Sequence, residues 1–282
     1  MNAFRGKVAV HAITWGDNHL QAIEEASRIG YRAIEPWPHF ALQYEHNIGE
    51  FKELLAKYSL ELTALYGGVP GDSRFADPSK RQDIVDYNVR LSRILKQCGA
   101  GHVVLGPGSR KGPATLEELK VAAATIAETA ERTLELGIKA CLHPHLWTEI
   151  QDENEVDAIM ELCNSDAVFF APDTAQLTGA GMNPAELIRR YSERVAYVHL
   201  KDVTKDGAVA ADFPLMEGND VPVFCELGLG KIDFDPIIEA LNEIQYDGWL
   251  TVEIDRSTST PYRSLEICRD FVEQRLGIPV RG

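Results

Sequence analysis

The sequence predicts an α/β fold, a single (β/α)8 TIM barrel domain over residues 1–282, and two observations carry this prediction. First, eight short apolar runs alternate with longer segments of helical periodicity. Second, these runs are apolar on both faces, which is typical of buried parallel strands. An open doubly wound sheet is the alternative, but it usually has fewer strands, and no GxGxxG motif follows the first run. The runs are KVAVHAITW (7–15), YRAIEPW (31–37), LELTALYGG (60–68), HVVLGPG (102–108), IKACLHPH (138–145), AVFFAPD (167–173), VAYVHLKD (195–202) and WLTVEID (249–255).

The segments between the runs have the signals of amphipathic helices. Thr115 and Glu118 have the spacing of a capping box at the start of one helix. Gly30 and Gly137 follow two of the helices, where a left-handed residue is common. One face of the helix after Thr115 is expected to be buried through Leu119, Ala122, Ile126, Ala130 and Leu134.

Composition excludes several classes of protein. The formal net charge is −15, and no cluster of Lys and Arg offers a surface for phosphates, so no nucleic-acid partner is expected. The five cysteines are odd in number and form no CxxC pair, which indicates small buried hydrophobes in a reducing compartment. We find no signal peptide and no membrane span, so we expect a cytoplasmic protein that does not bind a membrane.

Polar side chains gather at the ends of the predicted strands, where a barrel of this type builds its site. Imidazoles and carboxylates arriving from several strands suit Mn²⁺, Co²⁺, Fe²⁺ or Zn²⁺, and suit Mg²⁺ less well. Such an ion can polarise a carbonyl and stabilise an enediolate. No feature indicates a nucleophilic serine or a P-loop. The strand-end residues are Trp15, Glu35, Tyr66, His143, His145, Asp173, His199, Lys201, Asp202, Glu253 and Asp255.

Five segments carry a resemblance to a known family: HPHLWTEIQDENEVD (143–157), DTAQLTGAGMNPAELI (173–188), RVAYVHLKDV (194–203), LGLGKIDF (227–234) and YDGWLTVEIDRS (246–257). With them the chain resembles the xylose isomerase-like barrels of the sugar phosphate isomerase/epimerase superfamily. Within that superfamily it is most similar to the inosose dehydratases, which remove water from 2-keto-myo-inositol. The N-terminal half contributes ITWGDN (13–18) and AIEPWP (33–38).

The resemblance implies one divalent ion, with Mn²⁺ as the first expectation, held by Asp173, His199 and Glu253. The isomerases and epimerases of the superfamily have a fourth ligand at the end of strand five, a Glu that is also the base. Here that position is His143, which leaves open whether this residue binds the ion or moves protons. His145, two residues further on, is the other acid–base candidate, and Lys201 is a candidate to hold a substrate oxygen.

A second departure concerns the substrate. The dehydratase pattern at strand six is DTGH, whereas this chain has DTAQ, so Gln176 stands where relatives have a histidine. Glutamine can hydrogen-bond a hydroxyl but cannot exchange a proton near pH 7. The expected substrate-binding residues are Trp15, Glu35, Gln176 and Arg256.

The expected function is that of a metal-dependent hydro-lyase, a carbon–oxygen lyase acting on a cyclic keto-polyol or keto-sugar by proton abstraction beside the ketone. The alternatives are a ketose/aldose isomerase or 3-epimerase, or a lyase subunit that eliminates the aglycone from 3-keto-glycosides. The expected partner is a small molecule, and a homo-oligomer or a partner subunit is possible. Of the remaining residues, His11 is interpreted as a core histidine, and Glu149 and Asp255 as solvated rim residues. Gly228 and Gly230 are expected to serve a tight turn.

Overall fold

The computed structural model describes residues 4–71, 73–163, 166–204 and 224–280. Within these ranges strands alternate with helices in the predicted order. The strands are β1 (Lys7–His11), β2 (Ala33–Glu35), β3 (Glu61–Leu62), β4 (Ala64–Tyr66), β5 (His102–Leu105), β6 (Lys139–Leu142), β7 (Val168–Phe170), β8 (Tyr197–Leu200), β9 (Asp202–Val203), β10 (Phe224–Cys225) and β11 (Trp249–Val252). The helices are α1 (His19–Ile29), α2 (Pro38–Leu42), α3 (Ile48–Lys57), α4 (Arg81–Cys98), α5 (Leu116–Leu134), α6 (Glu153–Leu162), α7 (Thr174–Gly179), α8 (Pro184–Arg190), α9 (Asp235–Glu243) and α10 (Pro261–Gln274), and a 3₁₀ turn spans Ala12–Trp15.

The barrel wall consists of two parallel sheets, ordered β3-β2-β1-β11-β8 and β4-β5-β6-β7. Both sheets meet in the third predicted run, where Thr63 separates β3 from β4 and its backbone N–H still donates to Ile34 O at 3.1 Å. The other seam joins β7 to β8 through Ala196 N–H, which donates to Phe170 O at 3.0 Å, and His199 N–H, which donates to Pro172 O at 3.0 Å. The eight predicted strand positions therefore close on themselves, and the (β/α)8 fold class is confirmed.

The helix signals are confirmed in all but one position. Thr115 and Glu118 form the predicted capping box at the start of α5. Gly30 ends α1 with a φ of 119°, and Gly137 has a φ of 81°. Leu134 was expected on the buried face of α5, but its side chain is 41% exposed because the face has rotated outward by the last turn of the helix.

An additional two-stranded antiparallel sheet follows β8, the seventh strand of the barrel. β9 pairs with β10 in antiparallel fashion, with Asp202 opposite Cys225. The buried Asp202 carboxylate accepts backbone N–H bonds from Gly228 and Gly230, both at 3.0 Å, and from Ile232 at 3.2 Å. The predicted tight turn is present, with Gly228 at a φ of 83°. Because a Cβ on Gly230 would lie 2.1 Å from Asp202 Oδ1, this close approach requires glycine.

All five cysteines are free thiols, four of them buried and Cys98 half-buried, as the sequence predicted. None of the described helices combines the length and apolarity that crossing a membrane requires. The range 205–223 lies outside the described residues, so the assignment of residues 1–282 to one domain stays a prediction.

Candidate metal centre and active site

Strand register brings the predicted site residues to one end of the barrel. His11 and Glu35 are register partners across β1 and β2. Asp173 and His199 are partners across the seam between β7 and β8. Because the strands are parallel, their carboxyl ends lie together at one rim, where Glu253 also follows β11. The side chains of these residues are almost fully buried.

Asp173 presents one unpaired carboxylate oxygen. Its Oδ1 caps α7 by accepting the backbone N–H groups of Ala175 at 2.7 Å and Gln176 at 2.8 Å. Its Oδ2 is buried and has no hydrogen-bond partner among the described residues. Burial raises the pKa of Asp173 to about 6, although the charge of Lys201 acts in the opposite direction. A buried carboxylate oxygen without a partner is costly unless a cation or a ligand occupies its lone pairs.

His199 presents one unpaired ring nitrogen. Its Nε2 donates to Glu35 Oε2 at 2.9 Å, so when the ring gives up its other proton to bind a metal the lone pair lies on Nδ1. That Nδ1 lies 2.9 Å from Glu253 Oε2, yet it makes no hydrogen bond in the described part of the chain. Burial lowers the pKa of His199, but the carboxylates of Glu253 and Glu35 outweigh burial and raise it well above its ordinary value. The carboxylate–histidine arrangement is the one that orients metal-binding imidazoles in proteins.

His143 and His145 lie side by side but differ in their hydrogen bonds. His143 Nδ1 donates to Ala171 O at 3.2 Å, which leaves Nε2 as the open nitrogen. His145 has both nitrogens engaged, since Nδ1 donates to Leu146 O at 2.8 Å and Nε2 accepts from the Gln176 amide at 2.8 Å. Burial lowers the pKa of both imidazoles, and that of His145 falls to about 4.

Lys201 forms a buried ion cluster with two acidic residues that follow the last barrel strand. Its ammonium donates to Glu253 Oε1 at 2.8 Å and to Asp255, and it lies 4.2 Å from the centre of the Phe224 ring. Burial lowers the pKa of Lys201, but Asp255 and Glu253 raise it above its ordinary value, so the side chain stays a cation. The interpretation of Asp255 as a solvated rim residue is wrong, because Lys201 draws its carboxylate inward to 19% exposure.

The predicted substrate-binding residues take different places. Trp15 lies in the hydrophobic core, and its indole N–H donates to Glu25 Oε2 at 2.7 Å, because the 3₁₀ turn after β1 directs the ring toward α1. Glu35 is fully buried and bonded to His199, and Gln176 is bonded to His145. Arg256 is exposed directly after Asp255. Their role in binding substrate stays a prediction.

Two aromatic rings line the space above the histidines. The Trp37 ring lies 5.5 Å from the His11 ring and 6.3 Å from the Tyr66 ring, and Tyr66 lies 5.7 Å from His143. Trp37 was missed by the sequence reasoning, although its position at the end of the second apolar run is a usable signal.

The structure also changes the interpretation of Glu149 and of His11. Glu149 is not a solvated rim residue: it is 2% exposed and accepts backbone N–H bonds from Phe75 at 2.5 Å and from Ala76 and Gly108, both at 3.1 Å. It therefore joins two loops at the rim. His11 is buried as expected, but it lies at the site, with Nε2 3.8 Å from Glu35 Oε1.

The donor set fits a divalent transition ion. His143, Asp173 and His199 each offer one ligand atom, and these atoms lie within 4.8 Å of one another. Asp173 Oδ2 and His199 Nδ1 are both buried without a hydrogen-bond partner among the described residues. Mixed nitrogen and oxygen donors of this kind are suited to Zn²⁺, Co²⁺, Fe²⁺ or Mn²⁺.

Comparison with known proteins gives concordant results. The sequence profile of the xylose isomerase-like TIM barrels matches residues 23–270. An inosose dehydratase of Geobacillus kaustophilus (strain HTA426) is 26% identical over 306 residues, covering 97% of this chain and 95% of that protein. The crystal structure of a D-allulose 3-epimerase from Methylomonas sp. has a TM-score of 0.76 at 21% identity and covers 97% of this chain and 99% of the epimerase. The structure of the IolI protein with a bound zinc atom has a TM-score of 0.75 at 20% identity, covering 95% and 96%. Since the profile spans most of the sequence, the chain belongs to the xylose isomerase-like TIM barrel family.

Proposed function

We propose that this chain, a sugar-modifying enzyme of its family, is a metal-dependent dehydratase that removes water from a cyclic keto-polyol of the 2-keto-myo-inositol type. The observation that carries the proposal is the convergence of two unpaired buried atoms, Asp173 Oδ2 and His199 Nδ1, beside Glu253 at the active end of the barrel. The similarity to an inosose dehydratase along 97% of this chain supports the choice of reaction.

Four side chains would hold the ion: Asp173, His199, Glu253 and His143. We assign His143 to ligation because its Nδ1–H is held by the Ala171 carbonyl, which leaves Nε2 as the basic nitrogen, and because the ring offers a ligand atom within 4.8 Å of those of Asp173 and His199. Mn²⁺ is the ion we expect first. When bound, the ion would supply Lewis-acid polarisation of the substrate ketone, which makes the neighbouring C–H more acidic.

We assign proton abstraction to His145. Its Nδ1–H is fixed by the Leu146 carbonyl, so Nε2 is the basic atom. The Gln176 amide now donates to that atom at 2.8 Å. A substrate hydroxyl that accepts the amide N–H instead would free Nε2 to take the proton beside the ketone. The same imidazolium can then give this proton to the departing β-hydroxyl. The proton taken from carbon thus leaves in the water molecule, and His145 returns to its neutral form.

Lys201 and Glu35 would act by position and charge. Lys201 holds Glu253 Oε1, which leaves Oε2 facing His199, and its buried positive charge favours the negative charge that develops on the substrate. Glu35 holds the ring of His199 with its Nδ1 lone pair directed toward Glu253. Neither side chain needs to touch the substrate to serve these roles.

A proton NMR time course in D₂O tests the proposal, using Mn²⁺-loaded protein and 2-keto-myo-inositol, with the Asp173→Asn protein as the control. Loss of the ring signals with appearance of a dehydrated dione would support the dehydratase. Incorporation of deuterium without loss of water would replace it with an isomerase, an epimerase or a lyase for keto-glycosides. An unchanged spectrum would remove this ketone as the substrate.

The assignment of the two histidines has its own test. His145→Ala should keep the bound metal and lose activity by about 10²–10⁴-fold, the usual worth of a general base. His143→Ala should lower metal content as well, because it removes a ligand. Reversal of the two patterns would exchange the roles of His143 and His145.

A further inference from the structure

A second cluster of metal-ligating side chains lies at the same end of the barrel but outside the site described above. Asp17, His19 and His39 each offer one ligand atom, and these atoms lie within 4.8 Å of one another. The Nε2 atoms of His19 and His39 are 2.8 Å apart, and His39 Nε2 lies 3.5 Å from Asp17 Oδ1. Asp17 lies in the loop after β1, His19 is the first residue of α1, and His39 lies in α2 after β2.

Local structure directs the three side chains toward one point. Gly16, with a φ of 57°, turns the chain out of the 3₁₀ turn, and His19 N–H then donates to Asp17 O at 3.0 Å. The His19 ring stacks on Phe40 with a centroid distance of 4.7 Å, and the His39 ring stacks on Trp37 at 6.2 Å. The rings are therefore placed by packing, and their Nε2 atoms face each other.

Two of the three ligand separations are close to those of a transition-metal site. Bonds of about 2.0–2.2 Å to a tetrahedral Zn²⁺ place its ligand atoms about 3.3 Å apart. The separation between His39 and Asp17 already matches this value, and the two imidazole nitrogens need to move apart by only about 0.5 Å. That adjustment is easy, because the side chains of His39 and Asp17 are 53% and 95% exposed. Two imidazoles and one carboxylate, with a fourth position open to water, are a common zinc ligand set.

We propose that Asp17, His19 and His39 form a second binding site for a divalent transition ion such as Zn²⁺, separate from the barrel centre. An ion there joins the loop after β1 to α2. It also fixes the stacking partner of Trp37, whose ring contacts His39 as well as His11. The site is weaker than the barrel centre, since binding through Nε2 leaves the buried Nδ1–H of His19 without a partner among the described residues.

The test is calorimetric titration of the metal-free full-length protein with ZnCl₂, followed by zinc analysis after dialysis. The unmutated protein should bind two equivalents. His39→Ala and Asp17→Asn should each lower the zinc affinity of one equivalent by more than about tenfold. Loss of a residue that only supports a ligand already lowers metal affinity by about 10–100-fold, and these residues are ligands themselves. Asp173→Asn should weaken the other equivalent. His46→Ala, which removes an exposed histidine from the neighbouring surface, is the matched control and should change neither.

The outcomes separate this proposal from the proposed function. If only the barrel centre is wrong, the protein binds one equivalent, which His39→Ala removes. If only the second site is wrong, the protein binds one equivalent, which His39→Ala leaves unchanged, and the proposal is overturned. Asp17→Asn guards against misfolding, because its side chain is almost fully exposed, and a circular dichroism melt of each variant verifies the fold. Titration with CoCl₂ gives an independent reading, since loss of the second site removes one set of visible absorption bands.

Discussion

Replacement of Glu35 by glutamine should weaken metal binding although Glu35 is not a ligand in the proposed site. Glu35 is fully buried, and its Oε2 accepts the Nε2–H of His199 at 2.9 Å. Glutamine keeps the size of the side chain but removes the negative charge that holds the imidazole and increases its basicity. Loss of a carboxylate in this role typically lowers metal affinity by about 10–100-fold, or about 1.4–2.7 kcal/mol.

The assay is calorimetric titration of metal-free Glu35→Gln protein with Mn²⁺ and with Zn²⁺. Glu226→Gln is the matched control, because Glu226 is also buried but accepts from Ser264 Oγ at 2.6 Å, away from the histidines. The control should keep the metal affinity of the unmutated protein. Equal affinities for the unmutated and Glu35→Gln proteins, with an intact fold by circular dichroism, would refute the reasoning about His199.

Three further results are expected. His199→Ala should lose bound metal and activity together, as measured by metal analysis and turnover of the same sample, and full metal retention would contradict its assignment as a ligand. Gly230→Ala should destabilise the fold by about 1–3 kcal/mol in urea denaturation, because the added methyl group would lie 2.1 Å from Asp202, whereas Gly101→Ala, whose methyl group meets no described atom within 4 Å, should not show this loss. Burial raises the pKa of Glu155, but an arginine ion pair and backbone N–H donors outweigh burial and lower it. Its stabilising effect is therefore complete above the unfolded pKa of about 4.3 and is lost as the pH falls through the folded value, so Glu155→Gln should reduce stability at pH 7 and much less at pH 3.

The barrel and the position of its site follow from sequence because both depend on strand order. Apolar runs such as 102–108 and 138–145 indicate buried parallel strands, and parallel strands place their carboxyl ends at one rim. His143, Asp173, His199 and Glu253 could therefore be grouped although more than 100 residues separate the first from the last. Their proximity is a property of strand register, which the apolar pattern already specifies.

The partners of these residues depend on side-chain direction beyond the strand ends, which the pattern does not specify. Glu35 and His199 are 164 residues apart, and only the closed barrel shows that they bond. Lys201 reaches across to Glu253 and Asp255 rather than to its chain neighbour Asp202, which is occupied by backbone N–H groups. The core position of Trp15 depends on a 3₁₀ turn after β1, which the periodicity of the sequence does not signal.

The Asp202 carboxylate links two parts of the chain that are more than twenty residues apart. It joins the start of β9 to the turn at Gly228 and Gly230. His199, three residues before Asp202, is held in the barrel wall by its backbone bond to Pro172 and by its pairing with Thr251. One carboxylate thus sets the spacing between β9 and the turn that leads toward α9.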